Sequence, residues 1–123
     1  MDIYFSKTHE WVKADGDEAT VGITSFAAGE LGDITFVELP KEGTDLIVGD
    51  VAGTIESVKA SSDVYSPISG TVYAINHILD DDPGMISSNA EDRAWLYKLE
   101  NIDYAELEDL MYEEEYQKYL KTL

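Results

Sequence analysis

Lys59, in the run Glu56-Ser57-Val58-Lys59-Ala60, is the one Lys or Arg between Lys41 and Arg93, an interval that also holds ten Asp and Glu. Two extended, glycine-punctuated apolar stretches flank it. A lone amine in such a setting is a candidate for covalent modification; the plain alternative is a surface lysine in a turn, since lysines are mostly exposed. The other residues that could carry chemistry organise less well. His9 and His77 stand far apart in the chain, and no G-x-S-x-G, H-E-x-x-H or glycine-rich phosphate loop occurs, so the hydrolase and nucleotide templates fit poorly. Asp80-Asp81-Asp82-Pro83-Gly84 gathers three carboxylates. It lacks the alternating ligands and terminal Glu of a calcium loop, and three successive side chains do not converge on one ion, so it reads as a solvated turn.

Composition narrows the partners. Eight Lys and Arg against 26 Asp and Glu give a net charge of −18, which repels nucleic acid and anionic lipid and calls for partners with basic surfaces. There is no Cys, so disulfides, thiolate zinc sites and a Cys nucleophile are excluded and any sulfur chemistry must be borrowed. The N-terminus has neither a basic start nor a long apolar run, and nothing approaches the roughly 20 apolar residues that span a bilayer. A soluble, cytoplasmic protein without nucleic-acid or membrane partners is expected. At 123 residues and 44% apolar composition, a single domain over 1–123 is expected, burying roughly two-thirds of its unfolded surface.

The elements that must position Lys59 are mostly short strands. Ala19–Ile23 and Ile34–Leu39 are rich in β-branched and aromatic residues, and Pro40 closes the second. Between them Thr24 is placed to cap a short helix over Ser25–Leu31, with Gly32 at the left-handed C-terminal position. Leu46–Ile55 and Val64–Ile75 each offer strand, glycine-containing turn and strand on either side of Lys59, a weak internal repeat. Paired in one β-sandwich, the two halves make Ser57–Ala60 a connecting turn that presents Lys59 to water with its backbone held at both ends. From about 103 to 121 the character changes. Asp103 and Glu106 have capping-box spacing, and Leu107, Leu110, Met111, Tyr116, Tyr119, Leu120 and Leu123 recur at helical intervals, predicting an amphipathic helix or a broken pair laid on the sandwich.

Taken together, Thr8-His9-Glu10-Trp11-Val12, Val21-Gly22-Ile23-Thr24, Leu31-Gly32-Asp33, Phe36-Val37-Glu38-Leu39-Pro40, Glu56-Ser57-Val58-Lys59-Ala60, Ser62-Asp63, Tyr65-Ser66-Pro67-Ile68-Ser69-Gly70 and Asn76 resemble the H proteins of the glycine cleavage system, from about Tyr4 to the C-terminus. The resemblance implies a mainly β, lipoyl/biotinyl-type β-sandwich (a barrel-sandwich hybrid) with a short internal helix and a C-terminal helix. It implies a carrier rather than an enzyme, with lipoate attached covalently to Lys59. Glu56, Gly70 and Gly43 match positions by which lipoate-attaching enzymes recognise the turn or at which lipoyl domains turn. Biotin carriers usually place Met on both sides of the lysine, whereas Val58 and Ala60 stand here. The implied partners are a pyridoxal-phosphate (PLP) glycine decarboxylase, a tetrahydrofolate-dependent aminomethyltransferase and dihydrolipoyl dehydrogenase. The loaded arm is expected in a cleft near Glu10, Ile23 and Asp63; for Glu10 an ordinary exposed strand-end carboxylate is the alternative. His9 and Trp11 are expected to pack or cap the N-terminal hairpin.

One segment departs from the resemblance. The family's I-N-x-x-P-x-x-x-G-W-L is here Ile86-Ser87-Ser88-Asn89-Ala90-Glu91-Asp92-Arg93-Ala94-Trp95-Leu96. Should the family glycine sit at positive φ, Ala94 would be strained or the turn rebuilt. Besides the glycine-cleavage carrier, two readings stay open: a lipoyl carrier acting as lipoate donor or reservoir for other proteins, and an unmodified acidic interaction module.

Overall fold

The computed structural model describes residues 2–123. Nine strands form two sheets: β1 (Asp2–Phe5), β2 (Glu10–Asp15), β3 (Glu18–Ile23), β4 (Ile34–Glu38), β5 (Asp45–Leu46), β6 (Val51–Ser57), β7 (Ser61–Tyr65), β8 (Gly70–Ile75) and β9 (Tyr97–Glu100). The larger sheet has the order β1-β2-β3-β9-β8-β5 and the smaller β4-β6-β7. Inward residues of both, among them Val12, Val21, Val72 and Leu99 from the larger and Val37, Ile55 and Val64 from the smaller, make one buried core. This is the mainly β sandwich with a short internal helix and a C-terminal helix that the sequence predicts, and two further short helices follow β8.

The internal repeat has a topological meaning. β5 runs through a turn into β6, and β7 through a turn into β8; β6 pairs with β7 in the small sheet while β5 pairs with β8 in the large one. Each half therefore crosses from one sheet to the other, and the two turns are stitched together where Gly49 N–H donates to Ser66 C=O (2.8 Å) and Ser66 N–H to Asp50 C=O (2.8 Å). The β6–β7 hairpin projects from the far end of this crossing with Lys59 at its tip.

Helix α1 spans Ser25–Leu31, as Thr24 and Gly32 predict. Thr24 Oγ1 accepts from Ala27 N–H, and Gly32 closes the helix at φ 79°, a conformation that only glycine adopts without strain. Short helices α2 (Ile78–Asp81) and α3 (Met85–Asn89) follow β8; the run of three aspartates thus starts in the last turn of α2 rather than wholly in a turn.

The C-terminal segment is a broken pair. Tyr104–Asp109 is a 3-10 helix, capped by Asp103 accepting from Ala105 N–H, and α4 spans Glu113–Leu120. Glu106 does not complete a capping box; both of its carboxylate oxygens are turned to Ser69 instead. The break falls at Leu110–Tyr112 because Met111 exchanges two backbone hydrogen bonds with Phe5 (2.7 and 2.8 Å) on edge strand β1. Tyr116 of α4 then stacks on Phe5, ring centroids 4.7 Å apart, in a small second core with Trp11.

Candidate functional site

The Lys59 turn is fixed by its own sequence. Ser57 N–H donates to Ala60 C=O (2.8 Å), and Ser57 Oγ donates to the same carbonyl (3.2 Å) while accepting from Ala60 N–H (3.1 Å) and Lys59 N–H (3.4 Å). One hydroxyl thus satisfies the polar groups of a turn that has no ladder partner. Val58 N–H reaches Asp33 C=O (3.1 Å), tying the tip to the start of β4. The Lys59 side chain is exposed and, among the described residues, makes no ion pair. Its stem lies over Gly32: a Cβ there would stand 3.5 Å from Lys59 Cε. A free amine therefore sits on a rigid mount.

Glu56 and Asp63 flank the tip on the paired strands, opposite Ser61 and Thr54, and both are exposed. Gly43 and Gly70 lie elsewhere, on the β5–β8 side. Gly43 takes φ 89° and its N–H donates to Val72 C=O (2.7 Å); a Cβ at Gly70 would come within 3.0 Å of Glu100 C=O. Their immediate roles are a turn and a close approach between strands.

Beside β7 a groove of ≈ 450 Å³ opens between the Ser6–Thr8 loop, the turns at Val48–Gly49 and Tyr65–Pro67, and the 3-10 helix. Strand rise sets its separation from the tip: Tyr65 lies five residues beyond Ala60, about 17 Å at ~3.3 Å per residue. One layer beneath the groove wall is Glu10. It is 2% exposed, so it is not the ordinary exposed strand-end carboxylate of the alternative reading. Its Oε1 accepts from Ser6 Oγ (2.7 Å) and Thr8 Oγ1, and its Oε2 from Tyr65 N–H (3.3 Å). Burial pushes the carboxyl above its ordinary range, and these donors pull it partly back. Ile23 is the cross-strand partner of Glu10, so the structure brings those two together; Asp63 stays on the outward face, two residues up β7 from Tyr65. Sequence reasoning missed Ser6 and Thr8 as the carboxylate's donors. Their signal was present: Ser6, Thr8 and Glu10 recur at period two.

His9 and Trp11 do more than pack the N-terminal hairpin. His9, at φ 71°, packs its ring on Phe26 of α1 (4.7 Å between centroids) and places Nδ1 2.8 Å from Tyr116 Oη, so it joins α1 to α4. Trp11 Nε1 donates to Ala90 C=O (2.9 Å). The divergent segment is correspondingly well held. Ala94 is fully buried, its N–H donates to Asn89 C=O (3.0 Å), and it is not among the positive-φ residues. The strain anticipated there is absent, because the backbone never enters the region where a methyl group costs energy.

A model of the glycine cleavage H-protein family matches residues 3–123. The chain belongs to that family. It is 50% identical over 119 residues to the glycine cleavage system H protein of Acidiphilium cryptum, covering 97% of this chain and 96% of that one. With the corresponding protein of Listeria monocytogenes it shares 46% over 119 residues, 97% and 95% of the two chains. A crystal structure of the H protein from Mycobacterium marinum superposes with a TM-score of 0.85 at 33% identity, covering 99% of this chain and 98% of that one. The protein is a carrier component of the glycine cleavage system, with the lipoyl-carrier role of its family, and not itself a catalyst. Among the described residues no helix is long and apolar enough to cross a membrane.

Proposed function

We propose that Lys59 bears lipoate in amide linkage, added by a lipoate-attaching enzyme, and that the chain so modified shuttles the aminomethyl group of glycine. It would pass from a PLP-dependent glycine decarboxylase to a tetrahydrofolate-dependent aminomethyltransferase, with dihydrolipoyl dehydrogenase restoring the oxidised carrier. The observation that carries this reading is the clasped hairpin: an exposed amine, without an ion pair among the described residues, on a turn whose backbone is held by Ser57 and Asp33. An attaching enzyme meets a preformed loop and pays little ordering entropy. When attached, lipoate supplies a disulfide–dithiol couple that takes up the aminomethyl unit and is afterwards reoxidised by thiol exchange.

The chain's own residues supply recognition and shelter. Amide formation removes the Lys59 charge, leaving Glu56 and Asp63 beside a neutral link. Val48, Tyr65, Pro67 and Leu110 give the groove apolar walls, which limit water at a cargo that hydrolyses. Ser6 and Thr8 line it and turn their hydroxyls onto Glu10, so a cationic amine entering the groove lies one layer from a buried carboxylate. Co-expression with a lipoate-attaching enzyme followed by peptide mass mapping tests the attachment. One lipoyl group on Lys59 is expected; an unmodified chain, or lipoate on another lysine, would overturn the proposal.

A further inference from the structure

The 3-10 helix Tyr104–Asp109 has two working faces. At three residues per turn, positions i and i+3 fall in line. Glu106 and Asp109 face the groove described above, whereas Tyr104 and Leu107 face the opposite way. There, with Tyr4 of β1, Glu108 and Tyr112, they line a separate recess of ≈ 220 Å³. Leu107 is buried; Tyr104 and Tyr112 remain 52% and 57% exposed, and the Tyr4 and Tyr112 rings lie 5.3 Å apart, tilted by 33°. Glu108 is exposed, and among the described residues no Lys or Arg pairs with it.

We propose that this recess binds an arginine side chain presented by a partner protein. The exposed rings of Tyr104 and Tyr112, the latter backed by the buried Tyr4, offer aromatic surface, and the exposed Glu108 supplies a carboxylate, a combination that selects a cation. Its volume is below the range of cofactor pockets and matches a single side chain. The flat guanidinium is favoured over an ammonium, because it stacks on a ring while its edge donates to the carboxylate and the phenol oxygens. A chain at −18 attracts basic surfaces in any case; the recess gives one such residue a defined seat. Since one short helix forms a wall of both the recess and the groove, a partner anchored here stands beside the groove mouth. The pocket rests on its own geometry and does not depend on what Lys59 carries.

The test is an NMR titration of the full chain, following the ring resonances of Tyr104 and Tyr112, with N-acetylarginine amide, its neutral near-isostere N-acetylcitrulline amide, and tetramethylammonium. The arginine probe is expected to shift these resonances saturably, with a dissociation constant on the order of millimolar, while the citrulline probe leaves them in place. Tyr104→Leu and Glu108→Gln, both at exposed positions, are each expected to weaken binding about fivefold with unchanged thermal melting. Equal shifts from the citrulline probe, or undiminished binding in both variants, would overturn the proposal. Tetramethylammonium binding as tightly as the arginine probe would overturn the guanidinium assignment in favour of a small free cation.

Discussion

Substituting Glu10 by Gln and by Ala separates charge from shape at the base of the groove. The carboxylate is buried and accepts from Ser6, Thr8 and Tyr65. Burying an ion costs several kcal/mol, and each hydrogen bond to a charged group returns about 1.5–3 kcal/mol, so the opposing effects nearly cancel. The raised pKa shows that burial wins. The folded chain thus holds the Glu10 proton more tightly than the unfolded one. This contribution to stability is fully present below the ordinary value of 4.5 and is lost as pH rises from there through the raised folded value. In Glu10→Gln the amide oxygen can accept from Tyr65 N–H, while the NH₂ donates to hydroxyls free to rotate. That variant should lie within about 1 kcal/mol of wild type at neutral pH, and its stability relative to wild type should rise with pH across the window above 4.5. Glu10→Ala leaves the Tyr65 N–H without its acceptor and opens a void, costing about 2–4 kcal/mol. Urea denaturation over about pH 4 to 8 reads these differences. On the loaded, lipoylated protein both variants should release formaldehyde and ammonia faster than wild type. A Gln variant as unstable as Ala, a pH profile parallel to wild type, or unchanged release would refute the reasoning.

Gly22→Ala should be strongly destabilising. Its Cβ would lie 2.5 Å from the ring of Trp11, which is buried and tethered to Ala90, so a cost of ~1–3 kcal/mol or more and a fall in Tm of roughly 5–15 °C are expected in a thermal melt. Burial lowers the pKa of His9, so the unfolded chain binds its proton more readily and stability should fall as pH drops below 6.5. His9→Asn keeps a residue type that tolerates positive φ and should remove that acid slope, read as the difference in urea midpoint from wild type. Glu56→Ala should slow lipoyl attachment while changing stability by about 0.5 kcal/mol or less, since the side chain is exposed; attachment kinetics and denaturation check the two halves separately.

What could be read from the chain followed the range of the interactions. The α1 caps are local: Thr24 reaches three residues ahead to Ala27 and Gly32 needs only its own φ, so both were legible. The Lys59 turn was legible for the same reason, its clasp being made within Ser57–Ala60. The burial of Glu10 was not, because its third donor, the Tyr65 amide, comes from 55 residues away. Periodicity likewise continued through Leu110 and Met111, whereas the backbone there is claimed by Phe5 on a distant edge strand. The Ala94 concern arose from residue type alone; only the backbone angle, set by contacts with Asn89 and the surrounding core, dismisses it. Gly43 and Gly70 stood out as a turn glycine and a recognition position, and the fold gives them reasons of chain geometry.

The central claim is that a lipoylated Lys59 carries the aminomethyl group of glycine. Its most direct test incubates the lipoylated chain with labelled glycine and a PLP-dependent glycine decarboxylase, then measures label retained on the carrier, with Lys59→Arg as control. Arg keeps the charge and exposure but its delocalised guanidinium does not form the amide. Label stoichiometric with lipoyl content, located on Lys59 and absent from the folded Lys59→Arg variant, is the predicted result; a fully lipoylated chain that acquires no label would contradict the account and point to a lipoate reservoir instead.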